Sequence, residues 1–86
     1  MKIKKEMVLR NIAGDFVLVP AGEAVKDFNG LFAINEVGAA IWELLPECDT
    51  EDQIVSQLEK EYDAPVELLK KDVAEFLKKL KSLELL

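Results

Sequence analysis

Val66, Leu69, Val73, Phe76, Leu77 and Leu80 recur at intervals of three and four residues, which puts all six on one face of a single α-helix. A stripe that continuous over about four turns must be pressed against another surface. In a chain of 86 residues almost everything else is needed to supply it. A domain of this size buries only about 60 to 65% of the surface its unfolded chain exposes, so few apolar residues are left for other tasks. Pro65 suits the first turn, where its missing N–H is not needed, and the spacing predicts a helix from Pro65 to about Leu83.

The segments upstream read as the surface this helix packs on. Met7–Arg10 and Phe16–Val19 are short β-prone runs separated by Ala13-Gly14-Asp15, a hairpin turn, and Pro20 closes the second run. A polar loop through Ala21-Gly22-Glu23 follows. A third, irregular strand is expected over about Lys26 to Ile34, with Asn29-Gly30 supplying turn or bulge chemistry. Asn35 stands as the N-cap of a first helix running to about Leu45, with Val37, Ile41, Trp42, Leu44 and Leu45 apolar and Pro46 ending it. Gly38 lies inside that helix, where Gly costs up to about 1 kcal/mol relative to Ala. Close approach of another element is the expected reason. Thr50-Glu51-Asp52-Gln53 matches a capping box, opening a second helix that buries Ile54, Val55 and Leu58 and ends near Tyr62-Asp63. The expected fold is α+β and winged-helix-like: one domain over residues 1–86, a three-stranded antiparallel sheet followed by three helices.

Composition narrows the function. The chain has no His and one Cys, Cys48, so a Ser-His-Asp triad, a Cys-His dyad and any His- or Cys-based zinc site each lack a partner. Neither catalytic residues, metal ligands nor a cofactor are expected. Cys48 lies between Glu47 and Asp49, whose negative field disfavours a reactive thiolate. A lone cysteine fits a reducing cytosol, and no apolar run reaches signal-peptide or membrane-spanning length. A cytosolic protein is expected.

The net charge of −6 repels polyanions, and the excess sits between Leu31 and Asp63, where nine Asp and Glu face Lys60 alone. The second helix, which would be the recognition helix of a helix-turn-helix, carries Lys60 against Glu51, Asp52, Glu59 and Glu61. Its composition argues against DNA. Lys70, Lys71, Lys78, Lys79 and Lys81 on the last helix read as a solvated face, acidic first turns as dipole complements, and Trp42 as a core anchor.

One segment is left without an obvious structural duty. Asp27-Phe28-Asn29-Gly30-Leu31-Phe32-Ala33-Ile34 has no Pro and little charge, the devices that usually blunt a sheet edge. If it lies at the edge it is either covered or used to accept an extended peptide as an added strand.

Several runs together resemble the PqqD family, small proteins named for pyrroloquinoline quinone biosynthesis. They are Asn35-Glu36-Val37-Gly38-Ala39-Ala40-Ile41-Trp42-Glu43-Leu44-Leu45, the Thr50 capping segment, Glu61-Tyr62-Asp63, and Asp72-Val73-Ala74-Glu75-Phe76-Leu77 before Leu85-Leu86. Val8-Leu9-Arg10 and Gly14-Asp15-Phe16-Val17-Leu18-Val19 fit the same pattern, so the resemblance spans essentially the whole chain. It implies a non-catalytic domain that binds the leader peptide of a ribosomally made precursor and presents it to a modifying enzyme, often a radical S-adenosylmethionine enzyme. It also implies that the leader adds to the third strand and lies against the third helix. Carried over, the peptide-binding residues are Phe28, Asn29, Gly30, Leu31, Phe32, Ala33 and Ile34, with Leu68, Asp72, Glu75, Phe76 and Lys79. The competing readings are a winged-helix transcription factor and a structural homodimer whose third strands pair with each other. Salt-dependent DNA affinity would mark the first and light scattering the second.

Overall fold

The computed structural model describes residues 1–28 and 30–86. Two strands, β1 (Met7–Ile12) and β2 (Asp15–Pro20), form an antiparallel hairpin in which Ile12 pairs with Asp15, leaving a loop of only Ala13 and Gly14. Both loop residues have positive φ, 52° and 87°, as a tight turn matched to the twist of its strands requires, and Gly14 N–H donates to Asn11 Oδ1 at 3.1 Å. Strand β3 (Phe32–Ile34) pairs antiparallel with the other side of β2, giving the order β1-β2-β3.

Here the structure corrects the sequence reading. The third strand begins at Phe32 rather than at Lys26, and the polar loop with Lys26 is a 3-10 helix, Gly22–Lys26, whose Ala24 is buried. Asp27 N–H donates to Ala24 O and closes that turn, and Gly30 has φ +95°, outside the extended region, so no continuous strand can pass through it.

Helix α1 (Glu36–Leu44) starts at the expected cap: Asn35 Oδ1 accepts from Gly38 N–H at 2.7 Å. A short 3-10 turn, Leu45–Glu47, follows and carries Cys48 inward, so its side chain belongs to the core rather than to an acidic surface loop. Helix α2 (Glu51–Glu61) opens with the complete capping box, Gln53 N–H donating to Thr50 Oγ1 and Gln53 Oε1 accepting from Thr50 N–H. Helix α3 (Val66–Ser82) directs Leu69, Val73, Leu77 and Leu80 into the interior, each no more than 2% exposed. They meet Ile41, Leu45, Ile54, Val55, Leu58 and, from the sheet, Leu18. Trp42 is a core anchor as expected. No buried residue among those described is polar or charged, so burial of apolar area, at about 25 cal/mol per Å², is what holds the layers together. Beyond α3 the chain turns at Glu84 (φ 61°), buries Leu85, and Leu85 O accepts from Lys4 N–H at 2.8 Å.

Candidate functional site

Among the described residues strand β3 is paired on one side only, with β2, so alternate residues direct their N–H and C=O groups away from β2. The same alternation sorts its side chains. Phe32 and Ile34 are half-buried and pack on the core, while Ala33 between them is exposed. Phe32 stands edge-on to Phe28, ring centroids 5.2 Å apart at 88°. Lys5 Nζ lies 5.0 Å from the Phe28 centroid and forms ion pairs with Asp27 at 3.7 Å and Glu84 at 3.6 Å, tying the approach to β3 to both ends of the chain.

The open edge faces a groove of about 290 Å³. Ala33 and Ile34 form its strand side; Asn35, Gly38 and Ile41 form its end on α1; Asp72, Glu75, Phe76 and Lys79 form the opposite wall on α3. That wall is the flank of α3 beside its buried stripe, and the 3.6-residue period brings positions 72, 75, 76 and 79 into one band about two turns long. Gly38 explains how α1 and α3 come so near: a Cβ there would lie 3.1 Å from the Phe76 ring and 3.4 Å from Ile34 Cβ. The close approach expected at this glycine is present, and it sets the depth of the groove.

Of the residues anticipated from sequence, Ala33, Ile34, Asp72, Glu75, Phe76 and Lys79 are brought together here. Phe28 and Phe32 form the aromatic pair behind the strand, not its open side, and Gly30 and Leu31 are exposed in the bend before it. Leu68 is 49% exposed, one turn before Asp72, and does not line the groove. Asn29 lies outside the described residues. Sequence reasoning missed Asn35, Gly38 and Ile41 as groove residues, since it assigned them to a cap, a packing contact and the core. Gly38 was the signal that could have found them, because a helix glycine kept for close approach marks where two elements meet.

The groove is lined by both apolar and charged groups. Its charged groups are Asp72, Glu75 and Lys79, and among the described residues no cluster of three His, Cys, Asp or Glu is arranged to hold a metal ion. No helix of the described residues is long and apolar enough to cross a membrane. What the arrangement offers an extended chain is a short row of backbone partners beside a wall of three charged residues and one aromatic ring.

No curated protein sequence matches the chain. Among solved structures, that of TbiB1 in complex with the TbiA(beta) leader peptide superposes with a TM-score of 0.70 at 29% identity, covering 99% of this chain and 93% of that one. The family model described as coenzyme PQQ synthesis protein D matches residues 6–86. With that match running from before the first strand to the last residue, the chain belongs to the PqqD family.

Proposed function

We propose that the chain is a peptide-binding adaptor that captures the leader peptide of a ribosomally made precursor as a fourth strand on β3 and presents the attached precursor to a modifying enzyme. The observation that carries this reading is the unpaired edge of β3 opening onto the groove against α3. The similarity to TbiB1, whose structure holds a leader peptide, supports it.

The energetics assign different work to the two sides of the groove. A strand of three residues offers an added peptide only a few backbone hydrogen bonds, each worth about 0.5–1.5 kcal/mol net. Their sum falls short of the roughly 8 kcal/mol of a micromolar complex, which must also offset the cost of ordering the peptide. The α3 wall therefore supplies much of the affinity and nearly all of the selectivity. The peptide-contacting residues we assign are Ala33, Ile34, Asp72, Glu75, Phe76 and Lys79, with Gly38 as the floor.

The adaptor contributes no bond-making group. It is a cytosolic, non-catalytic partner of an enzyme of the radical S-adenosylmethionine class, and its contribution is effective concentration: a precursor held by its leader meets the enzyme at about millimolar local concentration. Calorimetry with a leader peptide encoded beside the gene tests the reading. The unmodified peptide is expected to bind, and the same peptide N-methylated at alternate backbone positions to bind more than about tenfold more weakly in one of its two methylation phases. Equal affinity for both phases and the parent peptide would refute strand addition.

A further inference from the structure

Asp72, Glu75 and Lys79 line one wall of the groove, yet none of them takes part in the ion pairs formed among the described residues, which join Lys5 to Asp27 and Glu84, and Lys26 to Glu23. Glu75 and Lys79 are four apart with the acid first, the better orientation for an intrahelical pair, and still they stand apart. Asp72 is half-buried, so its charge is less screened than that of a surface carboxylate. Between the two ends sits Phe76, half-buried and held at the groove floor by its close approach to Gly38. The wall thus has an acidic end, an apolar centre and a basic end.

From this arrangement we propose that the groove reads charge order along its ligand: it takes a strand carrying a basic residue opposite Asp72 and Glu75, an apolar residue over Phe76 and an acidic residue opposite Lys79. The inference rests on the strand-addition reading above and adds to it the chemistry of the peptide. The helix rises about 1.5 Å per residue, so Glu75 and Asp72 lie about 6 and 10 Å from Lys79 along its axis. An extended peptide rises about 3.3 Å per residue and presents every second residue to the wall, so its basic, apolar and acidic residues stand at alternate positions over about 13 Å, with the long side chains at the two ends taking up the difference from the roughly 10 Å between Asp72 and Lys79. Because the wall has two different ends, the pattern fixes the direction of the peptide as well as its register. Like charges in the wrong order meet repulsion at both ends, which excludes other leaders more effectively than it tightens the right one.

Selection from a displayed library of random twelve-residue peptides tests this, performed on the unaltered protein and on the charge-reversed variant Asp72→Asn/Glu75→Lys/Lys79→Glu, in which the acidic end of the wall becomes basic and the basic end acidic. Peptides enriched on the unaltered protein are expected to share the basic–apolar–acidic order, and those enriched on the variant its inverse. A selected peptide should lose about fivefold in affinity on the variant and regain it when its own two charges are exchanged, with the preference shrinking as salt is raised. The same peptides emerging from both selections, while still shifting the amide signals of Ala33 and Ile34, would overturn the charge reading and leave strand addition standing. Failure to enrich any peptide that moves those signals would overturn both.

Discussion

Among the described residues the sheet has two free edges, and the one on β3 opens onto a groove. Strand β1 is twice as long as β3 and is unpaired on its outer side, yet Arg10, Asn11 and Ile12 stand in solvent there and β1 adds only Met7 to the shallow hollow beside Trp42. Strand β3 has three residues, but its edge is walled by α3 and floored by Gly38 and Phe76. Strand β1 carries a single charge, Arg10, and leaves Val8 and Ile12 exposed, so an incoming strand there would gain backbone hydrogen bonds without a wall to pack its side chains on. A walled edge instead lets an incoming strand bury side chains while it hydrogen-bonds. The difference teaches that the site is defined by the wall more than by the length of the edge.

The comparison breaks most severely if the wall is closed. Gly38→Leu places a side chain against the Phe76 ring, where a Cβ alone comes to 3.1 Å, and is expected to cost about 1–3 kcal/mol of stability by overpacking. Thermal unfolding would read this as a lowered Tm, accompanied by loss of peptide binding; an unchanged Tm would mean that α1 and α3 are not as close as described. Next in size, Ala33→Pro removes a backbone donor from β3 and should weaken peptide binding about tenfold in calorimetry, whereas Ile12→Lys on the opposite edge should change it less than about twofold. Equal effects at the two edges would erase the distinction drawn above.

Two smaller effects separate stability from binding. Thr50→Ala deletes the α2 capping box and is expected to lower stability by about 1 kcal/mol in urea titration while leaving peptide affinity unchanged. Smallest is the response to alkali. Burial, followed by the charges of Glu36, Glu61 and Glu43, raises the Tyr62 phenol above its ordinary value of 10.0. The unfolded chain therefore releases this proton first as pH climbs past about 10, so the stability present below that pH declines above it. Tyr62→Phe should flatten that part of the pH profile in denaturant titrations between about pH 9 and pH 11, without altering peptide binding at neutral pH.

How far the sequence disclosed all this depended on the range of the forces involved. The helices were legible because their signals are local: Asn35 caps α1, Thr50 and Gln53 form the box of α2, and the 66–80 stripe gives α3 its buried face. The hairpin was legible for the same reason. The third strand was overdrawn, since an apolar run cannot disclose that Gly30 turns out of the extended region or that Gly22–Lys26 winds into a 3-10 helix. The burial of Cys48 was not legible from its acidic neighbours, because it depends on the 3-10 turn after α1. The groove itself lies between residues 31 or more positions apart in sequence on its α1 and α3 sides, a juxtaposition that periodicity alone does not encode. The resemblance named the α3 flank, and Gly38 marked where α1 would meet it.

The central claim is that an extended peptide pairs with β3 and lies against α3. An amide-shift titration of isotope-labelled protein with a leader peptide encoded beside its gene tests it most directly. The account predicts large shifts at Ala33, Ile34, Gly38, Asp72, Glu75, Phe76 and Lys79, with β1 residues Arg10 to Ile12 unmoved. Shifts centred on β1, or no shifts at millimolar peptide, would contradict it.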